Sequence, residues 1–574
     1  MTAIASPRDR VAPKVAPPET PTPAPRRAIS VDWAIVAAVA LGVVVRAVLV
    51  FTRDFPLNDG GLFYLMAEEV QRAHYRLPAF TAYNAMNIPF AYSPLGFYAA
   101  AALADVTGLG MVQVFRILPL VATAGTVAAF ALLARAMLAP IASRGALLTA
   151  VVAFSLVPRS YIWMIMGGGL TRSFGFLFAI LTLHQAYRLY TTRESRYVLP
   201  MTLGVSLTVL SHLGTSPFLA FSIALLWLAY GRHRHGVLSS VVVVVGALAL
   251  TAPWWATVMA QHGIEPFLAA RQTGGSVFAD AGTRNFVLMT LARFGLGTGE
   301  PLFPIVGVLA ILGVLASLTP RRFLIPVWWL TIVLLEARAG ATYATIPVAM
   351  LAGIGFTEVI LPVLARPWGT VARARHGTRF EVAAVGPQRT WIPAVVSALF
   401  LAYGVSCALL RRPELGTEGR WLNSLSRGDR QAMEWVAKET PSGSRFLVVT
   451  GGVWGGWWAD RVGEWFPVLA ERVSVATVQG SEWLPKGEFG RRWGLYDRAQ
   501  GCGGWFAVCL TDWEREANAS FTHVYIPKAE PFQCCNVLLH SLRADTSYAT
   551  VYDGDGATIF VRRHPPTGGP VPAE

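Results

Sequence analysis

Residues 53–71 read RDFPLNDGGLFYLMAEEVQ and follow directly on a strongly apolar segment. Two aspartates, Asp54 and Asp59, stand beside a pair of glycines, and apolar residues then recur at helical spacing over residues 62–70. Acidic side chains at the mouth of a membrane span are costly to desolvate, so their presence indicates a site. The alternative is a solvated loop in which Asn58 or Asp59 caps the helix that follows.

The composition of the chain is that of a polytopic membrane protein. Of the 574 residues, 54% are hydrophobic and 14% are charged, whereas soluble domains carry about 25% charged residues. Apolar runs of roughly 18 residues or more recur between residues 31 and 410, which is the length that crosses a membrane. The net charge of +14 lies largely in short loops between these runs, where basic residues fix orientation, so it does not indicate a nucleic-acid partner.

Residues 31–411 are predicted to form an α-helical polytopic transmembrane domain. A Pro- and Ala-rich stretch at residues 1–30 precedes it and is expected to be a disordered cytoplasmic tail. The first apolar run is too long for the core of a signal peptide, so no cleavable signal is expected. About eleven spans are predicted. They are residues 31–51, 114–138, 146–166, 174–190, 198–213, 217–230, 237–258, 301–318, 323–335, 344–364 and 391–410.

The apolar run at residues 89–103 is treated as a membrane-surface or re-entrant helix within a first outer loop, residues 53–112. Counting it as a span would place Arg193 and Arg196 outside, whereas omitting it leaves every strongly basic short loop on the cytoplasmic side. In the cell membrane the N-terminus is then cytoplasmic and the C-terminus extracytoplasmic. Arg46, in the outer third of the first span, is predicted to extend to the lipid headgroups; the alternative is a side chain that faces the site.

Residues 412–574 have punctuated hydrophobicity, which predicts an extracytoplasmic domain of mixed α/β structure. The pattern indicates two helices, three strands and a hairpin built around a DGDG turn. The expected helices are residues 429–440 and 536–542, the strands are residues 445–450, 473–478 and 523–526, and the hairpin is residues 548–563.

Cysteine usage agrees with this orientation. Four of the five cysteines, Cys502, Cys509, Cys534 and Cys535, lie in the predicted outer domain, and Cys407 lies in a span. An even set on the oxidising side of a membrane indicates disulfides. The pairing stays open between Cys502 with Cys509 and either of these with Cys534 or Cys535. A zinc site is less favoured, because adjacent cysteines do not match the usual spacing of zinc ligands.

Short motifs in the two predicted outer loops stand in a fixed order. An acid after the first span, an amphipathic helix and a Ser-Pro-Leu segment follow one another at Asp59, Leu62–Val70 and Ser93–Leu95. The second outer loop, GGGLTRS at residues 167–173, carries Arg172 as its charged residue.

The later part of the chain adds further motifs. Arg338, Tyr343 and Pro347 lie at a late span, and the outer domain contains AMEWVAKETP at residues 432–441 and GGVWGGWWAD at residues 451–460. Together with the loop motifs, they resemble the GT-C superfamily of membrane glycosyltransferases. The pattern is similar to the catalytic subunits of oligosaccharyltransferases, the protein O-mannosyltransferases and the lipid A aminoarabinose transferases.

The resemblance implies an inverting transfer of a sugar from a polyprenyl-phosphate donor to an extracytoplasmic acceptor, which would be a glycan, a lipid or a protein. Asp59 is the expected catalytic base, with Asp54 as the fallback. Arg172 and Arg338 are expected to bind the phosphate, because guanidinium groups hold phosphate bidentately. The alternatives are a headgroup contact for Arg172 and an ion pair with Glu336 for Arg338. With so few acids, Asp59 is the residue expected to ligate Mg²⁺ or Mn²⁺, if either ion takes part.

Further side chains are expected to contact the substrates or the membrane lipid. Trp458, with its neighbours in the stretch 454–467, suits stacking on sugar rings, an interfacial aromatic belt or the core of the outer domain. His212 is a candidate with interfacial packing as the alternative. The remaining candidate substrate-binding residues are Tyr343, Glu68, Asp460 and Glu464.

Two other classes of function compete with the glycosyltransferase. One is a membrane transporter or lipid flippase, although the sequence has no apparent inverted repeat and few acids within the spans. The other is a non-catalytic membrane subunit with an outer binding domain. A transferase is expected to hold its acid at the outer mouth beside a groove, whereas a transporter is expected to bury polar groups near the midplane of the bilayer.

Overall fold

Most of the chain before residue 410 is helical. The structure is a computed structural model that describes residues 32–272, 288, 297–318, 322–336, 339–365, 370–374, 380–384, 391–409, 422, 425–452, 456–485, 487–528 and 534–563. The predicted tail at residues 1–30 and the candidate residue Arg338 lie outside these ranges. The α-helices of this part are Trp33–Phe51, Gly61–Arg72, Leu95–Thr107, Met111–Leu138, Arg144–Leu156, Gly169–Thr192, Val198–Ser211, Thr215–Leu226, Arg234–His262, Glu265–Gln272, Ile305–Ala316, Leu324–Leu335, Gly340–Tyr343, Thr345–Gly355, Leu361–Ala365 and Ile392–Leu409.

Within the described ranges, five helical stretches are long and apolar enough to cross a membrane, judged by length and composition alone. A sixth is added if the bent pair Arg144–Leu156 and Pro158–Met164 counts as one span. Four other apolar helices are shorter, and Leu95–Thr107, in the region expected to be a surface helix, is one of them. The count of eleven spans stays a prediction. The five long stretches are Trp33–Phe51, Met111–Leu138, Arg234–His262, Gly340–Ala365 and Ile392–Leu409.

The third predicted span, residues 146–166, does not form one continuous helix. The α-helix ends at Leu156, and two short 3-10 turns then run to Met164 at an angle of 73° to it. Pro158 explains the break, because a proline disfavours helical geometry at the residue before it, and Val157 is extended with ψ of 118°. The turns carry Trp163 into the site described below.

The expectation that Arg46 extends to the lipid headgroups is also wrong. Its side chain is buried, and Nη1 donates to the carbonyl oxygens of Gly42 at 2.8 Å and Ser155 at 2.7 Å. Its guanidinium lies 4.4 Å from the ring centre of Tyr161. The broken helix leaves carbonyl groups without their usual partners, and Arg46 donates to one of them from the neighbouring helix.

The C-terminal region, residues 425–563, contains a five-stranded mixed sheet. The strand Arg445–Val448 pairs in parallel with Val473–Ser474 on one side and with His523–Pro527 on the other. His523–Pro527 pairs antiparallel with Ala557–Arg562. Ala557–Arg562 pairs antiparallel in turn with the edge strand, Tyr548–Asp553. The predicted strands near residues 445 and 523 and the hairpin are confirmed, whereas the strand predicted over 473–478 is only two residues long. The helices of this region are Arg427–Glu439, Arg461–Leu469, Glu488–Gly501, Val508–Ala517 and Asn536–Ala544. Two short antiparallel pairs lie earlier in the chain, Phe80–Thr81 with Ile88–Pro89 and Thr370–Ala374 with Phe380–Ala384.

One apolar core is shared between this region and the first loop, residues 53–112. Phe446 of the sheet belongs to the same cluster of buried residues as Leu57 and Met66 of the loop. The fully buried Trp465 lies edge-on to Phe55, with 5.1 Å between ring centres. Each such side chain contributes about 1.5–3 kcal/mol when buried. This packing therefore holds the C-terminal region against the loop that carries Asp59.

The disulfides follow one of the two pairings left open by the sequence. Cys502 pairs with Cys509 and Cys534 with Cys535, and Cys407 is a free, buried thiol in its helix. The Cys502–Cys509 bridge joins the end of the helix Glu488–Gly501 to the start of the next helix.

Peptide mapping without reduction is expected to recover Cys502 linked to Cys509. The bridge closes a short loop between two packed helices, and such a closure restricts the unfolded chain. Cys407 is the internal control, because it is expected to be alkylated after denaturation. Four free thiols, or a peptide that links Cys502 or Cys509 to Cys534 or Cys535, would contradict the assignment.

Candidate functional site

The turn that carries Asp59 lies directly against the second loop, which covers residues 157–168 in the structure. The Gly167 N–H donates to the Leu57 carbonyl oxygen at 2.6 Å. Gly60 has a φ of +109°, a conformation that L side chains rarely adopt, and a Cβ on it would lie 2.6 Å from the carbonyl carbon of Gly167. The glycines thus allow the two loops to touch backbone to backbone.

A methyl group at Gly167 is expected to separate the loops. A Cβ there would overlap the carbonyl oxygen of Asp59, which is backbone and cannot swing away. Gly167→Ala should therefore cost about 1–3 kcal/mol, visible as a lower thermal melting temperature of the purified protein. The matched control is Gly494→Ala, because beyond its own helical turn and chain neighbours no described residue lies within 4 Å of a Cβ at that position. Equal melting temperatures for both variants would contradict the close approach.

Asp59 and Arg172 form an ion pair across this contact. Nη2 of Arg172 lies 2.6 Å from Oδ2 of Asp59, and the Gly168 N–H donates to Oδ1 at 2.9 Å. The side chains of Arg172 and Asp59 are 24% and 15% exposed, so the pair is sheltered but reachable. Burial raises the pKa of Asp59, but the positive charges of Arg172 and Arg461 more than offset this effect, and the pKa lies below its usual value.

Aromatic side chains continue the site towards solvent. The guanidinium of Arg172 lies 5.7 Å from the ring centre of Trp163, and Trp163 lies 6.5 Å from Trp458. Trp458 is 47% exposed, so its ring forms part of the rim. An exposed indole that is connected to the charged pair through Trp163 is suited to stacking on a sugar ring.

A carboxylate from the C-terminal region caps the first-loop helix, Gly61–Arg72. Oε1 of Glu464 accepts hydrogen bonds from the N–H groups of Gly60 at 2.6 Å and Gly61 at 3.2 Å. Its Oε2 pairs with Nη1 of Arg461 at 2.8 Å. Gly60 cannot cap the helix with a side chain, so Glu464 supplies the acceptor and the negative charge that a helix N-terminus favours.

Two further hydrogen bonds hold the same junction. The Trp465 indole N–H donates to the Asn58 carbonyl oxygen at 2.8 Å, and the Tyr83 hydroxyl donates to the Glu464 carbonyl oxygen at 2.6 Å. Burial raises the pKa of the Glu464 carboxyl above its usual value, although Arg461 opposes the shift. The contacts favour a positioning role for Glu464 beside the pair, and its predicted contact with substrate stays a prediction.

Asp460 lies behind the site as the N-cap of the helix Arg461–Leu469. Its Oδ1 accepts from the Gly463 N–H at 2.8 Å, and its Oδ2 accepts from the hydroxyls of Thr450 at 3.2 Å and Tyr496 at 3.1 Å. The side chain is buried, and burial raises its pKa above the usual value. These contacts favour a framework role for Asp460 rather than contact with a sugar.

Tyr343 and His212 meet on a shared threonine. The Tyr343 hydroxyl and Nδ1 of His212 each lie 2.9 Å from Oγ1 of Thr215. The ring of Tyr343 is buried and stacks on Phe218 with 4.4 Å between ring centres. Tyr343 interacts electrostatically with Arg172, which links this group of polar side chains to the Asp59–Arg172 pair.

Asp54 and Glu68 lie away from the Asp59–Arg172 pair. Asp54 is largely exposed and pairs with Arg430 of the C-terminal region. Glu68 pairs with Arg72 one turn along the first-loop helix, at 2.7 Å. Nothing in these contacts brings either carboxylate to the site, and their predicted roles stay predictions.

Sequence reasoning missed several residues that the structure brings to the site. Trp163 reaches Arg172 because of the bend after Val157, which the proline at 158 signals. Tyr92 interacts electrostatically with Arg172 and lies 5.1 Å from the ring of Trp483. The glycines of the second loop indicate that another backbone segment approaches closely, but the sequence does not indicate that this segment is the Asp59 turn.

Around the Asp59–Arg172 pair, the described residues do not offer the set of ligands that a divalent cation needs. Among the described residues, no group of three or more His, Cys, Asp and Glu side chains is arranged to hold a metal ion. At the pair itself, both oxygens of Asp59 accept hydrogen bonds from Arg172 and Gly168. The nearby Glu464 is held by Arg461, so these side chains do not fit the site for Mg²⁺ or Mn²⁺ that was expected at Asp59.

The fold is that of the GT-C membrane glycosyltransferases. Arabinofuranosyltransferase AftD from Mycobacteria aligns with a TM-score of 0.56 and 16% identity over 93% of this chain, which spans only 40% of AftD. The oligosaccharyltransferase AglB from Archaeoglobus fulgidus, in complex with an inhibitory peptide and a dolichol-phosphate, aligns with a TM-score of 0.51 and 13% identity, over 86% of this chain and 69% of AglB. ArnT from Cupriavidus metallidurans, bound to undecaprenyl phosphate, aligns with a TM-score of 0.48 and 14% identity, over 92% and 98% of the two chains. No protein-family model and no curated protein sequence matches the chain.

Proposed function

We propose that this protein is a membrane glycosyltransferase that moves a sugar from a polyprenyl-phosphate donor to an extracytoplasmic acceptor. The observation that carries the proposal is the sheltered Asp59–Arg172 pair, which joins the first loop to the start of the helix Gly169–Thr192. Trp163 lies between Arg172 and the exposed ring of Trp458. A carboxylate and a guanidinium side by side supply the two charges that transfer from a lipid phosphate requires. The GT-C fold supports this assignment, as does the dolichol-phosphate bound to AglB.

The chemistry assigns one role to each charge. The acceptor nucleophile gives its proton to Asp59 as its heteroatom bonds to the anomeric carbon of the sugar. The bond between that carbon and the phosphate oxygen breaks at the same time, and Arg172 neutralises the polyprenyl phosphate that leaves. Because the nucleophile attacks opposite the leaving phosphate, the transfer inverts the configuration of the anomeric carbon.

The acceptor is assigned only by class, as a cell-envelope glycan, a lipid or a protein. Trp458 at the rim would stack on the sugar or on the acceptor, since an indole face binds the apolar face of a pyranose or furanose ring. AglB was solved with an inhibitory peptide and AftD is an arabinofuranosyltransferase, so the neighbours alone do not select among these classes.

The test compares a deletion strain complemented with the natural chain and with Asp59→Asn. The deletion and the Asp59→Asn strain are expected to lose the same envelope glycan and to accumulate the same polyprenyl-phosphate sugar in a lipid-linked profile. The natural chain should restore both. An unchanged lipid-linked profile in the deletion strain would overturn the proposed function.

The orientation of the chain is a prediction with its own measurement. Single cysteines placed at Ser195 and Ser442, both exposed, are expected to react with a membrane-impermeant thiol reagent from opposite sides. The basic loop around residue 195 should be cytoplasmic, and the C-terminal region extracytoplasmic. Cys407 is buried and should stay unlabelled in the intact protein. Labelling of both positions from one side would contradict this topology.

A further inference from the structure

The Asp59–Arg172 pair cannot serve both of its proposed roles in the arrangement seen. A carboxylate held by a guanidinium is a weak base, because the positive charge favours its ionised form. The same contact places the carboxylate on Nη2 of Arg172. A guanidinium binds phosphate through a fork of two nitrogens, either Nε with Nη2 or Nη1 with Nη2. Nη2 belongs to both forks, so a bidentate phosphate would bring its oxygens next to the Asp59 carboxylate.

A second observation indicates that Arg172 has donor capacity left for a ligand. Its Nε is shielded from solvent and has no hydrogen-bond partner within the described part of the chain. A buried donor without a partner is unfavourable by about 1–3 kcal/mol. Once the pair opens, a phosphate oxygen on Nε would satisfy this donor, whereas in the closed pair Asp59 accepts from Nη2 of Arg172.

We propose that the donor's phosphate displaces Asp59 from Arg172 and thereby releases Asp59 to act as the base. The inference rests on the proposed function and adds the order of events at that site. Before the donor binds, the pair is closed and Asp59 is a poor proton acceptor. When the phosphate binds to Arg172, repulsion between the phosphate and the Asp59 carboxylate moves the carboxylate away. The acceptor is then deprotonated only in the presence of the donor.

The surroundings of the pair confine this exchange to side chains. Glu464 keeps its hydrogen bonds to the N–H groups of Gly60 and Gly61, and the Trp465 indole keeps its bond to the Asn58 carbonyl. The backbone on either side of Asp59 is therefore fixed independently of Arg172. Arg461, which also interacts electrostatically with Asp59, remains near the carboxylate as a cation after the exchange.

The experiment is a double-mutant cycle on binding, with a polyprenyl monophosphate that carries no sugar as the probe. Its dissociation constant is measured for the purified full chain and for Asp59→Asn, Arg172→Gln and the double variant, in one lipid nanodisc preparation. Asp59→Asn is expected to lower the dissociation constant of the probe about tenfold, because the carboxylate that competes with the phosphate for Arg172 is removed. In the Arg172→Gln background, the same substitution should give no gain.

The matched control is Asp32→Asn. It breaks another Asp–Arg pair of the helical domain, Asp32 with Arg144 at 2.8 Å, and should leave the dissociation constant unchanged. Comparable melting temperatures establish that the variants are folded. The inference is overturned if Asp59→Asn binds no more tightly, or if its gain persists with Arg172→Gln, since Asp59 would then act only as a repulsive charge. Absence of binding by the natural chain would instead overturn the proposed function, and the inference with it.

Discussion

Asp59→Asn is expected to lose transfer activity by roughly 10²–10⁴-fold, which is the usual contribution of a general base. The amide keeps the size of the side chain and can still accept from the Gly168 N–H, so the loop contact should persist. It cannot take a proton from the acceptor. The measurement is the turnover of a polyprenyl-phosphate sugar by the purified variant, with the melting temperature as the check on folding.

Asp54→Asn provides the matched comparison within the same loop. Asp54 also pairs with an arginine, Arg430, but it is largely exposed and lies outside the site. We expect its loss to change turnover by less than about threefold, as for an exposed ion pair worth under 1 kcal/mol. If Asp59→Asn kept full activity and Asp54→Asn lost it, Asp54 would be assigned as the catalytic base instead. Full activity in both would falsify the carboxylate-base mechanism.

Arg172→Ala is expected to weaken the use of the donor more than the use of the acceptor. Removing a charge-assisted hydrogen bond from a partly dry site costs roughly 1.5–3 kcal/mol, which is about 10- to 150-fold in kcat/KM for the donor. The KM for the acceptor should change far less, because the guanidinium faces the leaving phosphate. Initial rates with each substrate varied in turn separate the two effects.

The control for this substitution is Arg144→Ala, which removes the exposed partner of Asp32 and should leave both substrates unaffected. Arg338→Ala follows from the sequence alone and is expected to act in the same direction as Arg172→Ala. An unchanged kcat/KM for the donor in Arg172→Ala would contradict the assignment of Arg172 to the phosphate site.

Local features of the structure could be predicted because they depend on neighbouring residues. The helix expected from residue 62 spans Gly61–Arg72, and the hairpin expected at 548–563 has strands at Tyr548–Asp553 and Ala557–Arg562. Both rest on apolar periodicity or turn chemistry, which are written into a few consecutive residues. The prediction of a site at the Asp59 loop rests on the same kind of information, since an acid after an apolar segment is a local signal.

The contacts that complete the site could not be predicted, because they join distant parts of the chain. Glu464 caps the first-loop helix from a helix in another region, and no local pattern gives its partner. Arg46 was misassigned because its acceptors include the carbonyl of Ser155, and that carbonyl is available only because the helix breaks there. Pro158 marks the helix break locally, but the partner of the freed carbonyl and the partner of a long-range cap are set by tertiary packing, which periodicity does not report.

The cap supplied by Glu464 has a consequence for folding during translation. Its acceptor oxygen and the Gly60 N–H are 404 residues apart in sequence. At translation rates of about 5–20 residues per second, roughly 20–80 s separate the synthesis of the two groups. During that interval the first helices are already available for membrane insertion, while the Asp59 turn still lacks its cap. A chain that is still being synthesised is therefore expected to be inactive towards the lipid donors around it until its last quarter has folded.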